Sequence, residues 1–464
     1  MEMVKPKDIF NALPRSQHPD VFKQLEASVR GSDRCIIVLD DDPTGCQTLY
    51  GIPVLFHWDL EILLRELKNG TPLFFLMTNS RSMTEDAAVD LYREIGQLVR
   101  EASRKTGRAF SIVSRSDSTL RGHYPAEPDA LRFLYDQAPI HCIIPAFFQG
   151  GRYTIGDVHY VQTGGSLVPA AQTPSAEDKV FGFSHSNLKH WVAEKTSGRV
   201  SGKQVSSFSL EDLRRKGPAY VARELIGMPP GSVVVVNAAQ QNDLDVFALG
   251  ALEAERKGTV LLYRTAASFL NSLGAIRPRE PLEPHEMTAG PGRGGLFVVG
   301  SYVPRSTAQV EHLMGQEGIH AVELEVPRLL KDSSGEYAAA VLRKVDEGIG
   351  TGHHVLLYTS RELVYADDPA QNLAIGKTVS DALVTISREI RNKPAFLVAK
   401  GGITSHDIAS RGLQIKRALV AGPALPGVPV LVPGDRPDLR FIVFPGNVGE
   451  NDALSVLFYK LHAG

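Results

Sequence analysis

Three acids in a row, Asp40-Asp41-Asp42, stand directly after the apolar run Cys35-Ile36-Ile37-Val38-Leu39 and lead into Pro43-Thr44-Gly45. Carboxylates this close repel one another, so they need cations, hydroxyl partners or raised pKa values. Two further apolar runs end in polar clusters. Thr78-Asn79-Ser80-Arg81-Ser82 follows Leu73 to Met77, and Ser114-Arg115-Ser116-Asp117-Ser118-Thr119-Leu120-Arg121-Gly122 follows Phe110 to Val113. Pooled, these clusters hold carboxylates, hydroxyls and arginines. Arginine takes carboxylate or phosphate through paired hydrogen bonds, and a carboxylate can orient a sugar hydroxyl and accept its proton. The combination suits a small polyhydroxy acid. Polar caps on surface loops would explain one such cluster; three in succession are harder to explain that way. Asp117 and Arg121, four apart, also fit a surface ion pair worth only about 0.3–0.5 kcal/mol. His123 alone reads more readily as structural than as a base. Phe147 to Thr154, after another apolar run, could line a pocket, though an aromatic pair is more often core.

A different inventory follows later runs. Gly300-Ser301 comes after Leu296 to Val299, Lys400-Gly401-Gly402-Ile403-Thr404-Ser405 after Phe396 to Val398, and Pro445-Gly446-Asn447-Val448-Gly449 after Phe441 to Phe444. Glycine with serine or threonine at a strand end lets backbone N–H groups approach phosphate. None of these loops has the Walker spacing; together they suggest a nucleotide cradle. An acidic, arginine-containing pocket would then hold the acceptor and the glycine loops the donor. Phosphoryl transfer is mostly positioning and charge stabilisation, which such a pair of sites supplies. Magnesium would bridge the donor phosphates, and its protein ligands are not legible because it keeps several waters.

The elements that must position these residues alternate along the chain. Apolar runs at Cys35–Leu39, Leu73–Met77, Phe110–Val113, Cys142–Ile144, Val233–Val236 and Val260–Tyr263 are separated by helical patterns such as Thr84–Ala102 and Ala126–Asp136. The rhythm breaks in the proline- and glycine-rich stretch 276–295, then resumes at Leu296–Val299, Val355–Tyr358, Phe396–Val398 and Val428–Val432. This predicts an α/β protein of two α/β domains with largely parallel sheets and an active-site cleft between them. The expected division is 1–285 for the acid-binding domain and 286–464 for the nucleotide-binding domain. The formal net charge of -2 over 464 residues provides no field to recruit nucleic acid or an anionic membrane. The three cysteines, Cys35, Cys46 and Cys142, have no metal or disulfide spacing, and no apolar run reaches the length of a membrane span. A cytoplasmic protein without nucleic-acid or membrane partners is expected, with a homo-oligomer left open.

In this order the clusters resemble those of the four-carbon acid sugar kinases, over nearly the whole chain from about residue 33. Asp41-Asp42-Pro43-Thr44-Gly45 matches that family's Asp-Asp-x-Thr-Gly, Thr78-Asn79-Ser80-Arg81 its Thr-x-Ser-Arg, and Arg115 to Gly122 its Lys-x-Asp-Ser-Thr-x-Arg-Gly. Arg152-Tyr153-Thr154 with Gly156, and Ser184 with Leu188, look like its domain-edge segments. The resemblance implies ATP-dependent phosphorylation, with Mg2+, of erythronate, threonate or 3-oxo-tetronate at the terminal hydroxyl. It implies acid-sugar contacts from Asp41, Asp42, Arg81, Arg115, Ser116, Asp117, Ser118 and Arg121. Arg81 and Arg115 would hold the substrate carboxylate, and Asp42 and Asp117 would be catalytic, orienting hydroxyls. Asp42 is favoured as proton acceptor, because crowding by Asp40 and Asp41 should raise a pKa within the cluster. ATP contacts are implied for Ser301, Gly401, Gly402, Ile403, Thr404, Gly446 and Asn447. The chain departs from the pattern at Arg115 for lysine, at Ile403 for the aspartate of Gly-Gly-Asp-Thr (Asp407 lies nearby), and at Phe444 for the lysine of Lys-Ser-Gly-Gly-Phe-Gly.

Two other functions fit part of the pattern. Asp40-x-Asp42-x-Thr44 after a strand also matches a haloacid-dehalogenase-like phosphohydrolase, with Asp40 as nucleophile, Asp42 as acid/base, and Lys179 and Asp367-Asp368 available as later partners. A non-catalytic sugar-acid sensor would suit a kinase relative whose nucleotide loops had drifted.

Overall fold

An unbroken apolar run needs cover on both faces, and parallel strands with helices on either side provide it. The strands Cys35–Asp40 and Leu73–Met77 are buried at every position, and Phe110–Arg115 at all but its first. The computed structural model describes residues 6–288, 294–301, 303–361, 364, 369–446 and 448–462. The chain divides into two units, Met1–Leu49 with Trp58–Pro278 and Tyr50–His57 with Arg279–Gly464. Both are α/β with largely parallel sheets. The sequence reading did not separate residues 50–57 from their chain neighbours.

In the first unit the parallel sheet runs in the order Leu73–Met77, Cys35–Asp40, Phe110–Arg115, Leu261–Thr265, Ile140–Ile144, Val233–Val236, Ser206–Phe208. From Cys35–Asp40 the chain crosses to the strand on one side and then to the strand on the other. Strand order therefore reverses at Cys35–Asp40, and open α/β sheets bind ligands beyond the carboxyl ends at such a reversal. Register sets Asp40 beside Met77 on one flank and beside Arg115 on the other. The three polar clusters that follow are thereby gathered at one edge. Between the second and third strands, the helix Glu85–Thr106 starts where the Thr84 side chain accepts from Ala87 N and stops at Gly107. The helical pattern at Ala126–Asp136 is realised only as a short helix, Ala126–Ala130, and a 3-10 turn, Arg132–Leu134. There Leu131 N and Leu134 N reach back three residues to Pro128 O and Leu131 O, tightening the chain out of α geometry. An antiparallel sheet of Arg152–Ile155, Val158–Thr163 and Ser166–Pro169 is added, which apolar periodicity did not predict.

The second unit repeats the arrangement. Its parallel strands run Ile319–Leu324, His354–Thr359, Leu296–Val299, Phe396–Lys400, Arg440–Phe444. Strand order reverses at Leu296–Val299, so Gly300-Ser301 and Lys400-Gly401 leave adjacent strands at the same edge. The sheet then continues antiparallel through Val428–Pro433 and Arg417–Leu425, and Pro53–Leu55 pairs with the latter. Val428–Val432 is thus a hairpin strand, joined to Arg417–Leu425 through Pro426-Gly427. Phe297, Phe396, Phe444 and Phe458 anchor the core of this unit. In the stretch 276–295 the described residues carry a single 3-10 turn, Pro284–Glu286; 289–293 lie outside the described residues. Cys35, Cys46 and Cys142 are buried free thiols. No described helix is long and apolar enough to cross a membrane.

Candidate active site

The site in the first unit is built on a buried charge network. Arg115 Nη1 donates to Asp40 Oδ1 at 2.9 Å and lies 3.9 Å from Asp41 Oδ1. Both aspartates are fully buried, and the Arg115 side chain is only 5% exposed. Ser116 Oγ donates to Asp41 Oδ2 at 2.6 Å and accepts from Arg264 Nη2 at 2.7 Å. Arg264 also pairs with Glu127 at 2.6 Å and donates to Ser114 Oγ at 2.8 Å. Ser80 Oγ donates to the other Glu127 oxygen at 2.6 Å, tying in the second polar cluster. Gly122, at φ +118°, has no room for a side chain, since a Cβ would collide with Ser116 Oγ and Arg264 Nη2.

Partly exposed groups border this network. Arg81 Nη2 contacts Asp42 Oδ2, while its Nη1 lies 3.6 Å from Asp117 Oδ1 and 3.9 Å from Asp41 Oδ1. Asp42 Oδ1 accepts from Thr44 N at 2.8 Å and from the Thr44 hydroxyl. Asp117 Oδ2 accepts from Arg121 Nε at 2.7 Å, so that spacing of four serves the site rather than a helix surface. A depression beside them is lined by Ser116, Asp117, Leu120, Arg121, Trp191 and Arg264. Ser118 is buried, and its carbonyl accepts from His159 Nε2 at 2.7 Å.

Electrostatics separate the three aspartates. Burial pushes the Asp40 carboxyl up to about 7 despite Arg115, and Asp41 and Asp42 add to the effect. Burial acts on Asp42 as well, but Arg81, then Arg115 and the Thr44 hydrogen bonds, outweigh it and hold that carboxyl below its ordinary range. Against the same burial, Arg121 and Arg81 hold Asp117 well below the ordinary range. The crowding expected to raise Asp42 therefore falls on Asp40, where burial outweighs Arg115, whereas at Asp42 two guanidinium groups and the Thr44 hydrogen bonds outweigh burial.

Several expectations are relocated by the geometry. Arg115, offered as a carboxylate ligand, lies within the network on Asp40. His123 Nε2 is placed to donate to Ser80 O (3.2 Å) and Met83 O (3.1 Å), with Phe181 packed edge-on, which is a structural role. Phe147 packs on Ala266 and Ala267, and Phe148 stacks on Tyr153. Asp40, the nucleophile of the phosphohydrolase reading, is fully buried. Lys179 sits exposed in a turn, and Asp367 and Asp368 lie outside the described residues. Arg264 and Glu127 were missed. Arg264 had the usable signal, since Arg264-Thr265 closes the Val260–Tyr263 run as the other clusters close theirs. Glu127 had none.

In the second unit the glycine loops converge. A Cβ on Gly300 would collide with Thr404 Oγ1, one on Gly401 would sit 3.4 Å from Ser301 Cβ, and one on Gly446 would sit 3.6 Å from Ser301 Oγ. Gly401 has φ +108°, a left-handed conformation that favours glycine, and its N–H donates to Phe444 O at 2.9 Å. Gly402, Ile403 and Thr404 open the helix Gly402–Asp407, with Ile403 56% exposed. Asp407 does not replace the missing aspartate, because it is held by Ser380 and lies 3.7 Å from Arg411. Asn447 lies outside the described residues. Arg361, also missed, donates to Ser301 O at 2.9 Å from just beyond the His354–Thr359 strand. The bare backbone, the two hydroxyls and the Arg361 guanidinium are of a kind that fits phosphate.

Residues 36–273 match the family model of a sugar-binding N-terminal domain, and residues 296–454 that of a nucleotide-binding C-terminal domain. The D-threonate kinase of Cupriavidus necator is 25% identical over 345 residues, 70% of this chain and 76% of that protein. The D-erythronate kinase of Heliobacterium modesticaldum is 23% identical over 448 residues, 90% of this chain and 95% of that protein. Among solved structures, a Haemophilus influenzae protein superposes with a TM-score of 0.61 at 15% identity, covering 92% of this chain and 100% of its own. A Salmonella typhimurium LT2 protein gives 0.67 at 16% identity, covering 92% and 98%. At those identities the two structures speak for the fold alone.

Two outcomes follow for the first unit. Arg264→Met strands the Glu127 carboxylate in the interior and should cost about 3–5 kcal/mol in denaturant unfolding; an unchanged midpoint would contradict the network. Asp40, at about 7 when folded, holds an extra proton relative to the unfolded chain from roughly pH 4 upward. Its contribution is complete below that range and is lost as the pH rises through about 7. Asp40→Asn, which cannot ionise, should therefore gain stability relative to the wild type between pH 4.5 and 7.5. Paired urea titrations at the two pH values measure this, and a constant difference would refute it.

Proposed function

The chain belongs to the four-carbon acid sugar kinase family, and from that membership we propose that it transfers the γ-phosphoryl group of ATP to a hydroxyl, the terminal 4-OH, of a four-carbon sugar acid such as erythronate, threonate or 3-oxo-tetronate. The observation that carries this reading is Arg81, partly exposed and shared among Asp41, Asp42 and Asp117 at a reversal of strand order. A guanidinium in that position can exchange a protein carboxylate for the carboxylate of the substrate. The released Asp42 and Asp117 then accept hydrogen bonds from the substrate hydroxyls. Arg121, also partly exposed, assists Arg81. Arg115 keeps Asp40 and Asp41 charge-compensated beneath, with Ser116 fixing Asp41. Asp42, which Arg115 and the Thr44 hydrogen bonds still favour as a carboxylate once Arg81 has turned to the substrate, accepts the proton of the attacking hydroxyl. The transition state is loose, so this transfer demands positioning more than a strong base.

Ser301, Gly401, Gly402, Ile403, Thr404 and Gly446 contact ATP in this reading, through the Ser301 and Thr404 hydroxyls and backbone N–H groups other than that of Gly401, which is held by Phe444 O. Magnesium, when bound to the donor phosphates, would offset charge on the γ-phosphoryl. Among the described residues no group of three or more His, Cys, Asp or Glu is placed to hold a metal.

A coupled ADP-release assay with Mg-ATP over D- and L-erythronate, D- and L-threonate and their 3-oxo forms tests the proposal. ADP release with one acid is expected; no release combined with no ATP binding in calorimetry would overturn it. Asp42→Asn should lower kcat by about 10²–10⁴ while the protein stays folded, and near-normal turnover would remove Asp42 from the mechanism. Thr404→Ala should raise the KM for ATP and leave that for the acid unchanged; the opposite split would place Thr404 in the wrong site.

A further inference from the structure

We propose that Lys400 is the phosphate-binding cation of the nucleotide cradle, an assignment that rests on the kinase reading above. Lys400 ends the strand Phe396–Lys400 and is fully buried. Its Nζ donates to Pro445 O at 3.0 Å and to Gly446 O at 3.4 Å, and it lies 4.2 Å from the centre of the Phe444 ring. Those carbonyls and the ring face favour a cation but do not neutralise it. Among the described residues no acid pairs with it. The charge that acts on it is the like charge of Arg305, on the adjoining helix Pro304–Met314. Burial, with Arg305, pushes Lys400 down to about 7.

A buried ammonium lacking an anion is costly, and an ammonium has three N–H donors to place. The carbonyls take two of them. The turn that Lys400 grips is the one where Gly446 approaches Ser301, and Ser301 in turn faces Gly401. The ammonium thus sits under the point where the three loops meet. A phosphate there would provide the missing counter-charge and the remaining acceptor. Phe444 is the register partner of Lys400 on the neighbouring strand, and it occupies the position where the resemblance described above expects a lysine. In this chain the positive charge enters the same turn from one strand across.

A purely structural lysine, buttressing the Pro445-Gly446 turn, would not discriminate among ligands. Calorimetry on the full chain with ATP, ADP and adenosine separates the two roles. Lys400→Met should weaken ATP and ADP by about 10- to 100-fold, the loss of a charge-assisted hydrogen bond, and leave adenosine unchanged. The exchange variant Lys400→Ala/Phe444→Lys should recover most of the ATP affinity. Equal ATP affinity in Lys400→Met and the wild type, or an equal loss for adenosine, would overturn the assignment while leaving the kinase reading intact. A wild type that binds none of the three would overturn both. Should Lys400→Met fail to fold, the wild type still provides a test. At pH 8, Mg-ATP binding should take up a proton, visible as a dependence of the heat on buffer ionisation enthalpy, because phosphate restores the charge that burial suppresses. No uptake would overturn the assignment.

Discussion

The first unit depends on burying two adjacent carboxylates beside one guanidinium. Asp40 and Asp41 are fully enclosed, and Arg115 reaches both from the register position next to Asp40. Charge in a low-dielectric interior is tolerated only where its partners are placed correctly. A slip of one residue between the Cys35–Asp40 and Phe110–Arg115 strands would turn Arg115 to the opposite face of the sheet. The pairing therefore ties the chemistry of the site to strand register. Ser116, Arg264, Glu127 and Ser80 extend the constraint across the loops, each polar group answering the next. Arg81, Asp42 and Asp117 remain at the border, coupled to this frame but open enough to exchange partners.

The second unit solves a different problem with the same sheet logic. Its strand ends carry little side chain, so the loops approach one another closely, with the Ser301 and Thr404 hydroxyls between them. Asp407 is taken up by Ser380 and Arg411, and Ile403 occupies the position where the resemblance expects another acid. One unit thus concentrates paired charge of both signs at its strand ends, and the other close-set backbone and hydroxyls. The repeated reversal of strand order explains why each inventory collects where it does.

Much of this was legible in the sequence because fully buried parallel strands read as unbroken apolar text. Leu73–Met77, Val233–Val236 and Leu296–Val299 have the bounds their residue types suggest. The strand-end clusters were legible for the same reason, since polarity begins where the cover stops. What was hidden came from long-range geometry. Glu127 looks like any surface acid in a helical stretch, and only the fold sets it against Arg264 and Ser80. Arg264 and Arg361 close apolar runs but belong to no compact motif. That Asp40 is raised and Asp42 lowered depends on how deeply each is buried and on the contact of Arg81 with Asp42, and nothing in the local sequence encodes that.

The short strand Pro53–Leu55 carries a consequence for the chain as a heritable object. Residues 50–57 belong to the second unit although they lie deep within the first unit's stretch of sequence, and they pair with Arg417–Leu425. No single cut in the gene can return both units whole. A break near residue 285 would leave one product missing the strand that pairs along Arg417–Leu419, an edge open to foreign partners. The two halves are therefore bound to a shared evolutionary history. Recombination that exchanged one second unit for another would succeed only between chains whose residues 50–57 still fit the incoming edge.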